Sequence, residues 1–175
     1  MFFTPAMKTY VTAVTYSIPS IGSIAGADTI CNNDSGKPVG GSFYKALLVD
    51  AAGCIGSTPC RRASITANIG DGQIDWALKP NTNYVRSDGV TPIMTTNANA
   101  LFIFGTLTNS WTSAALTGIS GMSGTWVTFA GLTCINYSVN SGSVTTTQYQ
   151  QTGSVSLSGT SSSCTLSFTL LCIEQ

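Results

Sequence analysis

The chain has 175 residues, enough for one domain with a self-supporting core, and its seven basic and seven acidic residues give a net charge of zero. Charged residues make up only 8% of the sequence, which disfavours binding to nucleic acid or to an anionic membrane. Histidine is absent, so the commonest general base and the commonest zinc ligand are missing and many enzyme classes are disfavoured.

The first fifty residues predict a strand, a helix and a second strand. β-Branched and aromatic residues over 8–16 favour the first strand. Ser23 is the expected N-cap of a helix whose apolar face extends to Cys31, and Gly36 is expected to end that helix. Residues 43–50 (FYKALLVD) are apolar at odd and even positions alike, a pattern that predicts a strand in the middle of a sheet.

The remainder predicts short strands separated by long polar loops. A short helix is expected at 61–67, and turn residues punctuate 74–101. Residues 124–138 favour one or two strands. In the last segment, 164–175, the apolar residues Leu166, Phe168, Leu170 and Cys172 alternate with Thr165, Ser167 and Thr169, and this period of two predicts a terminal strand that turns these apolar residues, including Cys172, toward the core.

Six cysteines occur without a Cys-x-x-Cys pair, and this even count favours three disulfides over metal binding. Free buried thiols in a cytosolic protein are the alternative. Six cysteines allow 15 pairings, so spacing alone does not choose among them. Three disulfides would place the chain in an oxidising compartment, either secreted or at a cell surface.

No run of 18 or more apolar residues occurs, so no membrane-spanning segment is expected. Residues 1–7 lack the charged start and the apolar stretch of a signal peptide, and we expect them to be a linker or an added segment. Residues 8–175 are expected to form a single domain.

Four short sequence words carry a resemblance to a known fold. They are GADTIC ending at Cys31, FYKALLVD at 43–50, CRRA at 60–63 and LLCIEQ at the end of the chain. In this order they resemble words of the endostatin-like branch of the C-type lectin-like fold. Over 8–175 the chain also resembles a bacterial domain family of uncharacterised function, found in secreted and surface proteins of pathogens, which shares GADTIC, YKALLVD, IDWALKPNTNY and the Cys-Ile-Glu ending.

The resemblance implies an α+β fold with mixed, mostly antiparallel sheets, one or two short helices, long loops and disulfide bridges. It also implies how the cysteines pair. The implied bridges are Cys31 with Cys172, Cys134 with Cys164, and Cys54 with Cys60.

The calcium and zinc sites of the resembled families are not matched. A calcium-lectin site needs a Glu-Pro-Asn or Gln-Pro-Asp loop, because calcium requires several carboxylate and amide oxygens, whereas this chain has Lys79 at the nearest such word. Endostatin's zinc site uses histidines, and its heparin surface uses more arginines than this chain has. Asp71 and Asp75 could help to hold a calcium ion, but a solvated turn is the favoured interpretation. We therefore expect no cofactor.

Two serine motifs are candidates for a catalytic site. Ser42 and Lys45 match the Ser-x-x-Lys of penicillin-binding enzymes, but the accompanying Lys-Thr-Gly strand is absent. Ser120 lies between glycines without a histidine partner, and a tight turn is the favoured interpretation. We therefore expect no enzymatic activity, and a hydrolase is the least favoured function.

Aromatic residues are the remaining candidates for a binding surface. Trp76 and Trp126 lie in apolar patterns and are expected in the core. Trp111 has only polar neighbours, so exposure and burial are both open. The residues expected to bind a ligand are Trp111, Tyr149, Asn109 and Gln148.

The leading hypothesis is a secreted or surface-exposed bacterial recognition or adhesion module. It would be a monomer that binds a host extracellular protein or glycan without calcium, through the polar loops of 80–117 and 138–163. The alternative hypothesis is a structural tip or assembly domain of a surface fibre, which an exposed apolar edge or a fixed oligomer would favour.

Overall fold

The computed structural model describes residues 5–40, 42–50 and 60–175. Within these ranges the fold is α+β, with short strands, three short helices and one 3-10 turn. The strands are β1 (Met7–Val11), β2 (Tyr16–Ser17), β3 (Tyr44–Ala46), β4 (Asn83–Val85), β5 (Pro92–Thr95), β6 (Thr117–Ile119), β7 (Ser143–Gln148), β8 (Ser161–Ser163), β9 (Ser167–Phe168) and β10 (Leu171–Glu174). The helices are α1 (Ile18–Ile21), α2 (Ile24–Asn33) and α3 (Cys134–Tyr137), and the 3-10 turn is Ser154–Ser156.

A five-stranded sheet with the order β3-β10-β1-β4-β5 forms the centre of the fold. β1 pairs antiparallel with β10 and parallel with β4, while the other pairs in the sheet are antiparallel. A three-stranded antiparallel sheet, β6-β7-β8, and the two-stranded pair β2-β9 complete the described strands. Met7 was expected to lie in a linker or an added segment, but it pairs with Tyr84 and belongs to the sheet.

Two cores lie on opposite faces of the five-stranded sheet. Along the β10 segment, Cys172 packs in one core and its neighbours Leu171 and Ile173 pack in the other, as the alternation of side chains in a strand requires. The helix-side core also contains the buried face of α2. The loop-side core contains the aromatic residues Trp76, Tyr84, Phe102, Trp111, Trp126 and Tyr149.

Helix α2 forms as the sequence predicts. The hydroxyl of Ser23 accepts a hydrogen bond from the backbone N–H of Gly26 at 3.1 Å, which satisfies one of the free donors of the first turn. Ile24, Ala27 and Cys31 are its buried residues. The helix therefore presents one apolar stripe to the sheet.

The prediction that residues 43–50 form a central strand is wrong. β3 spans only Tyr44–Ala46 and lies at the edge of the sheet. Residues 46–49 are apolar without alternation because Ala46 and Leu48 pack in the helix-side core while Leu47 and Val49 pack in the loop-side core. Burial on both sides of this segment, beneath helices and loops, gives the same apolar pattern as a strand in the middle of a sheet.

Other element predictions were also wrong. Residues 61–67 contain isolated bridges from Arg62 to Ile74 and from Ser64 to Val127 instead of a helix. Within 124–138 the structure has bridges and the short helix α3. The segment expected as a loop, 138–163, contains β7, whose three consecutive threonines give no alternation of polar and apolar residues although all three are buried.

The two ends of the chain are only partly regular. The strand predicted over 8–16 divides into β1 and β2, because the chain turns where the Thr12 hydroxyl donates to the Val14 carbonyl. The terminal strand likewise divides into β9, which pairs with β2, and β10. Leu166, which the alternation placed in the core, is 51% exposed.

The structure contains the bridges Cys31–Cys172 and Cys134–Cys164 that the resemblance implies. Their sequence separations are 141 and 30 residues. Cys60 is disulfide-bonded, while Cys54 lies outside the described residues. None of the helices in the described ranges has the length and apolarity needed to cross a bilayer.

Candidate functional site

The strongest candidate site is a cleft over the loop-side core, which we call the aromatic cleft. Its volume is about 330 Å³, at the lower end of the range for small-molecule sites. No strand of the described sheets contributes to its walls. The lining residues are Asn68, Asn97, Leu101, Phe102, Ile103, Phe104, Gly124 and Trp126.

Edge-to-face aromatic contacts make the floor of the cleft rigid. The Trp126 ring centroid lies 4.8 Å from that of Phe102 and 5.1 Å from that of Phe104, with interplanar angles of 85° and 80°. Trp76 packs edge-on against Trp126 from another side at 6.0 Å. Such contacts contribute about 0.5–1.5 kcal/mol each beyond area burial. The predictions that Trp76 and Trp126 lie in the core are confirmed.

Trp126 has a left-handed backbone conformation, with φ of 69°, which is unfavourable for a bulky residue. Its indole N–H donates to the Phe102 carbonyl at 3.2 Å. Its backbone N–H donates to the Ser123 carbonyl at 3.3 Å. These bonds and the ring contacts hold the strained residue in place, and backbone strain of this kind is often found at functional sites.

A turn built on Asn97 forms one wall. The Asn97 side-chain oxygen accepts hydrogen bonds from the backbone N–H groups of Asn99 at 2.9 Å and of Leu101 at 3.1 Å. Ala100, between them, has φ of 54°. The oxygen is fixed by these two donors, and the side-chain NH₂ of Asn97 makes no hydrogen bond to a described residue.

Asn68 contributes a second amide at the rim. It is exposed, has φ of 62°, and donates its backbone N–H to the Thr125 carbonyl at 2.9 Å. Its side chain makes no hydrogen bond to any described residue. Asparagine tolerates this conformation better than most residues, so the turn can display a free amide at little cost.

The walls of the cleft are uncharged and only partly apolar. Ile103 is 78% exposed and Phe104 is half-buried, so an apolar surface borders the two amides. None of the lining residues ionises. The arrangement can therefore bind a neutral ligand through apolar contact and amide hydrogen bonds.

A buried ion-pair network supports the segment that precedes the cleft. Arg61 donates to both carboxylate oxygens of Asp28 at 2.9 and 2.7 Å, and to Asp75 at 2.5 Å. Its remaining bonds go to the carbonyls of Ala46 at 2.7 Å and of Asp75 at 2.8 Å. Burial alone would lower the pKa of Arg61, but the two carboxylates raise the pKa above its usual value.

The aspartates considered for calcium have other roles. Asp71 accepts hydrogen bonds from Ser64, Ile65 and Thr66, and the Thr66 backbone N–H is the main cause that lowers the pKa of Asp71 to about 2. Burial tends to raise the pKa of Asp75, yet bonds from Lys45 and Arg61 lower the pKa below its usual value. No group of three or more metal-ligating carboxylates or cysteines occurs in the described ranges.

The expected ligand residues do not form one surface. Trp111, whose exposure was open, is 2% exposed, and Tyr149, expected to bind a ligand, is 0% exposed. Burial raises the pKa of Tyr149 to about 12, and its hydroxyl donates to the Ile119 carbonyl at 3.2 Å. Its ring lies so close to Gly118 that a Cβ there would be 2.1 Å from the ring, so this position requires glycine.

Tertiary contacts bury Trp111 despite its polar neighbours. Thr108 donates its backbone N–H to the Ile93 carbonyl at 2.8 Å, and the Asn109 amide donates to the Pro92 carbonyl at 2.7 Å. These bonds hold the segment against β5, where Trp111 contacts Phe102 edge-on at 6.2 Å. Asn109 is half-buried and its amide is already bonded to the Pro92 carbonyl, whereas Gln148 is exposed at the end of β7.

The serine motifs are not arranged as nucleophile and base. Ser42 donates to Glu174 at 2.9 Å, while the Lys45 ammonium pairs with Asp75. Ser120 is fully buried and donates to the Leu157 carbonyl at 2.5 Å. Each hydroxyl thus has a structural partner.

Sequence reasoning missed the aromatic cleft. The available signal was the apolar run 101–104 with two phenylalanines, close after the Asn-rich stretch 97–99. Trp126 was correctly assigned to the core, but its role as the floor of the cleft depends on contacts with residues 22 to 24 positions earlier in the chain.

A known protein family matches most of the chain. The family described as a protein of unknown function (DUF1554) matches residues 15–155, which is most of the chain. No curated protein matches it.

Proposed function

The chain belongs to the DUF1554 family of unknown function, and from this premise we propose that it is a non-enzymatic recognition module that binds an extracellular protein or glycan through the aromatic cleft, without calcium. The observation that carries the proposal is the juxtaposition in one cleft of a rigid aromatic floor, an exposed apolar rim and two side-chain amides without partners among the described residues.

The energetics of the cleft favour binding over a purely structural role. An exposed isoleucine beside a half-buried phenylalanine leaves apolar surface in contact with water, and covering it contributes roughly 25 cal/mol per Å². The floor is already ordered by its ring contacts, so little side-chain entropy is lost when a ligand binds.

A secreted or surface location and a C-type lectin-like scaffold are parts of this proposal. The two described disulfides support an oxidising compartment. The pairing of β1 with β10, near the two ends of the chain, and the Cys31–Cys172 bridge that fastens β10 to α2 support the scaffold. The proposed ligand belongs to the host of a bacterium, in keeping with the resemblance.

Independence from calcium rests on the donor set. The cleft offers two amides and no carboxylate, whereas calcium takes six to eight oxygen ligands with carboxylates among them. Titration of calcium into chelator-treated protein is expected to give no micromolar binding, and the chelator is expected to leave ligand binding unchanged. Ligand binding abolished by the chelator would contradict this part of the proposal.

Gly124 offers a direct test of the cleft. A Cβ at this position would meet only the Phe104 ring, at 4.0 Å, so a side chain fits without backbone strain and enters the cleft. We expect Gly124→Leu to fold normally and to lose binding to whichever member of a glycan and matrix-protein array the parent chain binds.

Gly153→Leu is the matched control. Gly153 has φ of −77° and nothing within 4 Å of its would-be Cβ, and it does not line the cleft. This variant is expected to bind like the parent chain. Array binding that Gly124→Leu leaves intact would show that recognition occurs elsewhere, and a stable oligomer without array binding would favour the structural alternative.

A further inference from the structure

We propose that the ligand of the aromatic cleft is a short neutral saccharide, an inference that rests on the proposed function above. The two amides, the apolar rim and the charge of the surroundings each bear on the choice of ligand.

Charge disfavours acidic and sulfated sugars. The cleft itself contains no ionisable group, and the nearby basic residues are committed elsewhere. Arg61 is buried and fully paired with carboxylates and carbonyls, and Arg62 donates to the Gly72 carbonyl at 2.8 Å. Sulfate and carboxylate groups need arginine or lysine partners when they leave water, so an anionic ligand would find no compensation.

Hydrogen bonding favours a ligand with several hydroxyl groups. The fixed side chain of Asn97 presents donors, and the Asn68 amide presents donors and an acceptor. Sugar hydroxyls both donate and accept, so one ring can satisfy the two amides together. A ligand with only acceptors or only donors would leave one of these groups unsatisfied on binding, at a cost.

Shape disfavours the common modes of peptide binding. Addition of a peptide strand needs an exposed sheet edge, and no described strand lines the cleft. A helix needs a groove long enough for anchors over several turns, whereas this cleft has a volume of about 330 Å³. The C–H face of a sugar ring instead matches the compact apolar surface of Phe104 and Ile103.

The test uses defined probes with the intact chain. Lactose, cellobiose and chitotriose serve as neutral saccharides, a heparin tetrasaccharide as the anionic one, and a library of uncharged peptides as the alternative class. Binding is measured by saturation-transfer NMR and by titration of tryptophan fluorescence, to which Trp126 contributes from beneath the cleft. We expect at least one neutral saccharide to bind, and the heparin fragment and the peptides not to bind.

The Asn97→Asp variant tests the side-chain donor of Asn97 while keeping the turn that its oxygen stabilises. The aspartate oxygen still accepts the two backbone N–H groups of the turn, but this lining residue no longer has a side-chain donor. Affinity for the saccharide should fall about tenfold or more, because one hydrogen bond is lost and a carboxylate faces the sugar. Asn140→Asp, at an exposed position outside the cleft, makes the same change in net charge and should leave affinity unchanged.

The outcomes distinguish this inference from the proposed function. A peptide or protein ligand whose binding disappears in Gly124→Leu, with no neutral saccharide bound, would overturn the saccharide inference and leave the recognition function standing. Preferred binding of the heparin fragment would also overturn it. If no ligand of any class depends on Gly124, both the inference and the proposed function fail.

Discussion

The segments at the two ends of the chain and the central segment are stabilised in different ways. The end segments, 5–50 and 138–175, contribute α2, β1, β3 and β10, with ordinary backbone conformations and ladder hydrogen bonds. In the central segment, 60–137, regular elements are few and short. All nine described non-glycine residues with positive φ lie here: Asn68, Asp75, Asn81, Ala100, Trp126, Cys134, Ile135, Asn136 and Tyr137.

Side chains replace the backbone ladder in the central segment. The Asp71 carboxylate and the Asn97 amide each accept several backbone N–H groups that a strand or helix would have satisfied. The candidate site lies in this segment. The comparison teaches that the ends provide stability with standard elements, while the centre uses strained and individually bonded loops to shape a cleft.

Removal of the Cys31–Cys172 bridge should produce the largest loss of stability. The chain-entropy relation gives about 5 kcal/mol for a loop of 141 residues and about 3.6 kcal/mol for the 30-residue loop of Cys134–Cys164. We expect the Cys31→Ala/Cys172→Ala variant to unfold at lower denaturant than the Cys134→Ala/Cys164→Ala variant. Equal losses of the free energy of unfolding, measured by urea titration, would show that the bridge between the end segments stabilises the protein no more than Cys134–Cys164 does.

Arg61→Met should uncouple the end segments from the centre. The substitution removes the guanidinium partner of Asp28 on α2 and leaves Asp75 with Lys45 as its cationic partner. Breaking a buried pair in this way costs about 3–5 kcal/mol. The control Arg62→Met, at a partly exposed position, should change the free energy of unfolding by about 0.5 kcal/mol or less. Similar effects for both variants would contradict the role of the network.

Ile135→Gly should stabilise the protein. Ile135 is 69% exposed, has φ of 48° and lies in α3, where four consecutive residues are left-handed. Glycine adopts this conformation without the Cβ penalty, although fixing glycine in the folded chain costs more entropy. We expect the free energy of unfolding to rise by about 1 kcal/mol on balance.

Ile65→Gly is the matched control for this relief of strain. Ile65 is 60% exposed and does not have positive φ. Its replacement should destabilise the protein, because only the entropic cost of glycine remains. If both glycine variants lose stability in thermal unfolding, the left-handed turn does not store the strain that its conformation indicates.

Low pH should destabilise the loops of the central segment, with a smaller effect on the free energy of unfolding than the substitutions above. The pKa values of Asp71 and Asp88 are lowered to about 2, chiefly by the Thr66 backbone N–H for Asp71 and by the Thr91 hydroxyl for Asp88. A lowered pKa in the folded state means that the stabilisation is complete above the unfolded value of 3.8 and is lost as pH falls from 3.8 through 2. Asp71→Asn should reduce the slope of the unfolding free energy between pH 4 and pH 2, and an unchanged slope would contradict the assignment.

The elements that sequence reasoning predicted correctly depend on near neighbours in the chain. Helix α2 follows from the Ser23 cap and from apolar residues at helical spacing, both of which act within a few turns. The inward orientation of Cys172 follows from the period of two in β10. Predictions failed where long-range contacts override local pattern: β3 lies at an edge although it reads as central, and β7 forms from polar threonines that the rest of the fold buries.

The sequence by itself determined helix α2, the core positions of Trp76 and Trp126 and, through family resemblance, the α+β class and the two described bridges. Only the tertiary structure decided that Trp111 and Tyr149 are buried and that an aromatic cleft opens beside Asn97. The physical reason is that periodicity reports which side of one element is apolar, whereas burial and concavity depend on which distant segments pack against it.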